Sequence, residues 1–63
     1  MSDVEQDVLA VLDRGSTRER IRQRSGVKGS TLDAALRALV RADLAEKRVD
    51  MHCTVWARTS RAG

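Results

Sequence analysis

Residues 16–41, STRERIRQRSGVKGSTLDAALRALVR, hold two helical segments separated by a five-residue linker. The first segment surrounds one strong apolar residue, Ile21, with Arg18, Arg20, Arg22 and Arg24. The second places Leu32, Ala35, Leu36, Leu39 and Val40 at the i, i+3, i+4, i+7, i+8 spacing of one buried helical face. The linker SGVKG is short and contains glycine, so the two helices must cross steeply, as in a helix-turn-helix. The pattern predicts helices over about 17–24 and 30–42, with Ser25-Gly26 as a left-handed cap on the former.

Three tetrapeptides carry helix-start chemistry: SDVE at 2–5, STRE at 16–19 and STLD at 30–33. In a capping box the hydroxyl accepts from the third helical N–H while an acidic side chain reaches back. The first of these starts a helix over about 3–14, with Val4, Val8, Val11 and Leu12 on its buried stripe and Gly15 ending it. Asp3, Glu5 and Asp7 sit where the helix macrodipole favours negative charge. After Asp43 the helical period disappears. Segments 44–49 (LAEKRV) and 52–58 (HCTVWAR) flank a turn near Asp50-Met51 and predict a two-stranded β-hairpin, after which 59–63 should fray. The expected fold is mainly α with a small β-hairpin (α+β), one domain over residues 1–63.

Composition narrows the class. A chain of 63 residues with one Trp and no Phe, Tyr or Pro must build its core from aliphatic side chains. One cysteine forms no internal disulfide, and no apolar run reaches membrane-spanning length, so the expected compartment is the cytoplasm. No nucleophile–base pair, phosphate loop or carboxylate dyad stands out, which argues against an enzyme, and no cofactor is implied. His52 and Cys53 are adjacent but lack further ligands of their kind, so a zinc site is not expected.

Net charge is +3, unevenly spread. Residues 1–13 carry −4, while 14–28 carry +5 through Arg14, Arg18, Arg20, Arg22, Arg24 and Lys28 against Glu19. Arg18/Arg22, Arg20/Arg24 and Arg37/Arg41 are like-charged i, i+4 pairs, each unfavourable by about 0.2–0.5 kcal/mol in an isolated helix. A polyanion turns that repulsion into attraction by taking up the cations and releasing counterions. The two rows on the second helix lie roughly 160° apart, so one duplex cannot touch both. The third helix presents Ser30, Ala34, Arg37 and Arg41 opposite its leucines, a shape suited to a major groove. Asp33, four residues before Arg37, is placed for an intrahelical ion pair with it.

The order of three helices followed by a hairpin, carried by IRQRSGVKGSTLDAALRALVRADLAEKR, resembles the winged helix-turn-helix domains of bacterial and phage transcription regulators. The resemblance implies sequence-specific binding of double-stranded DNA, with the third helix in the major groove and the short wing on the backbone. On this chain it implies Ser30, Thr31 and Arg37 near bases. Lys28, Arg41, Lys47 and Arg48 are implied near phosphates, and the row of Arg18 and Arg22 on the second helix adds two further phosphate candidates. A homodimer reading paired half-sites is expected for specific binding, with Leu9, Val40 and Met51 as spare apolar contacts. The competing expectation is a winged-helix module that docks its arginines on an acidic protein surface. Trp56, the one aromatic, is expected to close the core, although strand alternation leaves open whether Trp56 or Cys53 and Val55 point inward.

Overall fold

The hydroxyl oxygen of Ser2 accepts from the Glu5 N–H at 3.3 Å and so starts the first helix as expected. In the computed structural model, which describes residues 2–59, this helix is α1 (Asp3–Val11), shorter than the expected 3–14. Leu12 has already turned extended (φ −75°, ψ 132°). At the next residue the Asp13 carbonyl is engaged elsewhere, accepting from the Arg58 N–H at 3.0 Å. A pairing between distant segments therefore ends the helix, not Gly15. Leu12 is buried with Val8 all the same, reaching the core from extended chain.

The next expected start is displaced by one residue. Thr17, not Ser16, caps α2 (Arg18–Ser25), its hydroxyl oxygen accepting from the Arg20 N–H at 3.3 Å. Ser16 is buried instead, because Ser16–Thr17 forms a short strand, β1. At the far end of α2, Gly26 adopts the expected left-handed conformation (φ 76°) and donates its N–H to the Arg22 carbonyl at 2.9 Å. The Ser25 hydroxyl donates to the Ile21 carbonyl at 2.6 Å and accepts from the Val27 N–H, which satisfies further orphan groups of the helix end.

Helix α3 (Gly29–Arg41) starts before Ser30, so STLD is not a capping box. Lys28 holds the N-cap position without a side-chain hydrogen bond, and Asp33 is drawn away to α2. Asp43 takes a left-handed conformation (φ 64°) after the last turn, and the Leu44 N–H donates to the Leu39 carbonyl at 2.9 Å. That reversal leads into β2 (Ala45–Val49), which pairs antiparallel with β3 (Thr54–Arg58).

The sheet has three strands, in the order β1-β3-β2, where the sequence predicts two. Ser16 lies opposite Trp56, and Lys47 lies opposite Trp56 on its other side. Directly opposed residues share a face. Trp56 thus shares its face with buried Ser16 and Ala45 and packs against the core, while Val55 takes the other face. His52 and Cys53 fall in the turn rather than in the strand; Asp50 N–H donates to Cys53 O at 2.7 Å, and Cys53 is exposed. Thr59 is tied down by an N–H donated to Leu44 O at 3.1 Å, and the rest of the expected frayed tail, 60–63, lies outside the described residues.

The core is one aliphatic cluster: Val8 and Leu12, Ile21, then Leu32, Ala35, Leu36 and Leu39 of α3, with Ala45. α3 supplies half of it and lies at the centre. α2 contributes Ile21 alone. No described helix is long and apolar enough to cross a membrane.

Candidate functional site

Because Leu32, Ala35, Leu36 and Leu39 turn inward, the helical period turns Ser30, Ala34, Arg37 and Arg41 outward, and all four are exposed. The reversal at Asp43 lays β2 beside this face. The result is an open groove of about 300 Å³ between α3 and the sheet. Its apolar floor comes from Leu36, Val40 and Trp56, and its charged lining is Arg37, Arg41 and Lys47 together with the carboxylate of Asp33. This volume is at the lower limit for small-molecule pockets, and an open trough suits an extended polymer better than an enclosed ligand.

Among the described residues, Arg37, Arg41 and Lys47 have no carboxylate within ion-pair distance. For Arg37 this departs from the expected Asp33–Arg37 pair. Asp33 binds Arg18 instead, through Nε–Oδ1 at 2.7 Å and Nη2–Oδ2 at 3.4 Å, and the same guanidinium donates to Gly29 O at 3.3 Å. Arg18 therefore bridges the start of α2 to the first turns of α3. A forked guanidinium with two acceptors on one helix fixes orientation in a way that a flexible i, i+4 pair does not. The Asp33 carboxylate stays 53% exposed at its side chain, so solvent screens the pair and its effect lies in geometry more than stability.

The hydrogen bond from Arg18 holds the Asp33 carboxyl below its ordinary value, against a small loss of solvent and with help from the charges of Arg18 and Arg37. The same bond raises Arg18. A carboxyl lowered in the folded state stabilises above its unfolded pKa, near 4, and that contribution disappears as pH falls through the lowered value. Asp33→Asn is accordingly expected to be less stable than wild type at pH 6. The two stability curves should converge as pH falls below about 4, a difference readable by urea unfolding at several pH values. Parallel curves would show that the pair carries no linkage.

The other cations named from the sequence are distributed as follows. Arg22 pairs with Glu19 at 3.4 Å, Arg24 with Asp13 at 3.1 Å and Arg48 with Glu46 at 3.3 Å. Arg24–Asp13 brings one arginine of the Arg20/Arg24 row to the acidic first segment. Lys28 is exposed at the amino end of α3, and Arg20 is exposed on α2. Thr31 lies on a different flank, in a shallow depression with Val4 and Ala38 between α1 and α3. The groove thus unites Arg37, Arg41 and Lys47, while Arg18, Arg22 and Arg48 are already engaged by carboxylates.

The sequence did not point to Leu36, Val40 and Trp56 as the floor of this groove, nor to Arg18 as a bridge. Arg18 and Asp33 are fifteen residues apart, beyond any helical spacing rule. Among the described residues no group of three or more His, Cys, Asp and Glu gathers where it could hold a metal. Comparison of the chain with protein-family models, curated proteins and solved structures finds no match.

Proposed function

We propose that this chain is a small cytoplasmic winged helix-turn-helix regulator that acts by occupying double-stranded DNA, without catalysis. The observation that carries the reading is the line of three cations, Arg37, Arg41 and Lys47, that have no carboxylate within ion-pair distance among the described residues and are held on two elements along one open groove. Ser30 and Ala34 are short, so the amino half of α3 can approach a major groove closely. Arg37, one turn further along, has the reach and fork geometry for the O6 and N7 acceptors of a guanine. Arg41 and Lys47 flank it as phosphate grips, and Lys28 adds one at the helix start. Arg18 serves as the bridge that sets α3 at its angle, a positioning role in place of the phosphate contact expected from the sequence. The β2–β3 hairpin is the wing.

Salt dependence tests this reading. Three phosphate contacts give a log–log slope of about −3, equivalent to an affinity loss of roughly 40-fold between 50 and 200 mM salt. The measurement is fluorescence anisotropy of a labelled random-sequence duplex titrated with the chain at those two salt concentrations. Absence of binding at 50 mM would end the DNA reading and leave an acidic protein surface as the partner of the groove.

A further inference from the structure

Among the described residues that line the groove, Asp33 is the one carboxylate, and it stands one helical turn before Arg37 on α3. A groove that held a polyanion by charge alone would gain nothing from it, because an ionised carboxyl repels phosphate. What it offers is acceptor capacity. An ionised carboxylate has about four lone-pair sites, and the donors to Asp33 among the described residues are Nε and Nη2 of Arg18, at 2.7 and 3.4 Å. The side chain is half exposed, so the remaining acceptor sites are open to whatever enters the groove. Because Arg18 takes Asp33, no Asp33–Arg37 ion pair forms. An acceptor and a forked donor thus stand on one wall without neutralising each other.

We infer that Asp33 is a second base-reading residue, which accepts from the exocyclic amino group of a cytosine near the guanine taken by Arg37; this rests on the DNA reading above. The donor follows by elimination. The sugar–phosphate backbone of DNA carries no hydrogen-bond donor, so the donor must come from a base edge. In the major groove the choices are the N4 amino group of cytosine and the N6 amino group of adenine. On adenine the amino group stands beside the N7 acceptor, which would face the second carboxylate oxygen, whereas cytosine presents no acceptor of its own there. Carboxylates accordingly suit cytosine, and amides suit adenine.

The spacing fits this assignment. Four residues of helix advance about 6 Å, and stacked base pairs lie about 3.4 Å apart, so Asp33 and Arg37 meet base pairs about one or two steps apart. Arg18 gives the carboxylate its direction. Two donors of one guanidinium engage both of its oxygens, and the same group is tied to Gly29 O at 3.3 Å, which holds Asp33 away from Arg37. The carboxylate also acts by exclusion. A guanine or thymine edge set against it offers only acceptors, so the wrong base is penalised as well as the right one favoured.

The experiment is selection from a randomised duplex library by the full chain at 50 mM salt, then anisotropy on four duplexes that differ only at the selected position. Far-UV circular dichroism checks that each variant is folded. Wild type is expected to select cytosine at one position, at least about fivefold over every other base, one or two steps from a selected guanine. Asp33→Asn keeps an acceptor for Arg18 and adds an amide donor, so its preference at that position should switch to adenine while the guanine stays. Asp33→Ala should show no preference there and should bind random duplex at least as tightly as wild type. Arg18→Ala, which lets Asp33 turn to Arg37, should weaken both preferences together. Cytosine still selected by D33N or D33A overturns the inference. So does a D33N or D33A that loses guanine and cytosine alike, since Asp33 would then act only by placing α3. A wild type that binds duplex without selecting cytosine sinks this reader and spares the groove. A wild type that binds no duplex at 50 mM salt sinks the function proposed above and this inference with it.

Discussion

Ile21→Ala is expected to leave the domain largely unfolded at 25 °C. Ile21 is fully buried and is the one buried residue of α2, whose other positions are arginines, Glu19, Gln23 and Ser25. Truncating a buried isoleucine to alanine removes about 2–5 kcal/mol, from lost transfer and from the cavity left behind. A single aliphatic core in a chain this short supplies roughly 3–5 kcal/mol of net stability, so the substitution consumes most of it. The ion pairs that α2 makes with Asp13 and Asp33 cannot compensate, because their partners are about half exposed and salt screens them. The check is far-UV circular dichroism with urea unfolding. Wild type should show a cooperative transition and Ile21→Ala almost none, whereas Val40→Ala, at a half-buried position, should retain a transition at lower urea. An Ile21→Ala protein with the wild-type midpoint would mean that arginine–carboxylate pairs hold α2 in place. In that case 1 M salt should unfold wild type.

The same contrast between local and distant contacts separates what the sequence revealed from what it concealed. The leucine period of α3, the Gly26 cap and the Ser2 cap are set by residues within a turn of one another, and each appears where the spacing predicts. The end of α1 and the start of α2 are set by β3 instead. Arg58 takes the Asp13 carbonyl and Trp56 pairs with Ser16, so the helix stops early and the cap moves to Thr17. A two-residue strand has no alternation of its own, so β1 becomes visible only once its partner is in place. Trp56 likewise could not be oriented by period alone. Its register opposite Ser16 and Lys47 decides the face.

For the candidate site, the outward face of α3 was legible because it is the complement of the buried face. Lys47 was legible as a wing cation, although not as a neighbour of Arg37 and Arg41. Which cations lack partners was not legible, since that depends on where the carboxylates end up. Asp33 was placed by spacing for Arg37 and is held by Arg18. This exchange leaves Arg37 without an ion pair among the described residues while tethering the helix that carries it.

Replacing Arg37, Arg41 and Lys47 together by alanine is expected to weaken duplex binding at 50 mM salt by two to three orders of magnitude. Each phosphate-gripping cation contributes through counterion release, so the salt slope should fall from about −3 to about −1. The single substitutions should differ in kind. On the proposed reading, Arg41→Ala should cost one phosphate contact, weaken all sequences to a similar degree and lower the slope by about one. Arg37→Ala should on the same reading cost about 1–3 kcal/mol at a base, relax preference at one base pair and leave the slope nearly unchanged. Arg20→Ala is the control. It removes the same charge from an exposed arginine that, among the described residues, has no carboxylate partner and lies outside the groove, so net charge changes while the site does not. Equal losses from Arg20→Ala and Arg41→Ala would reduce the interaction to overall charge and remove the groove from the mechanism. Equal behaviour of Arg37→Ala and Arg41→Ala across a set of duplexes would make α3 a backbone-gripping helix with no reader on it. The order in which these fail therefore locates the error, because the first comparison tests where the polyanion lies and the second tests what it is asked.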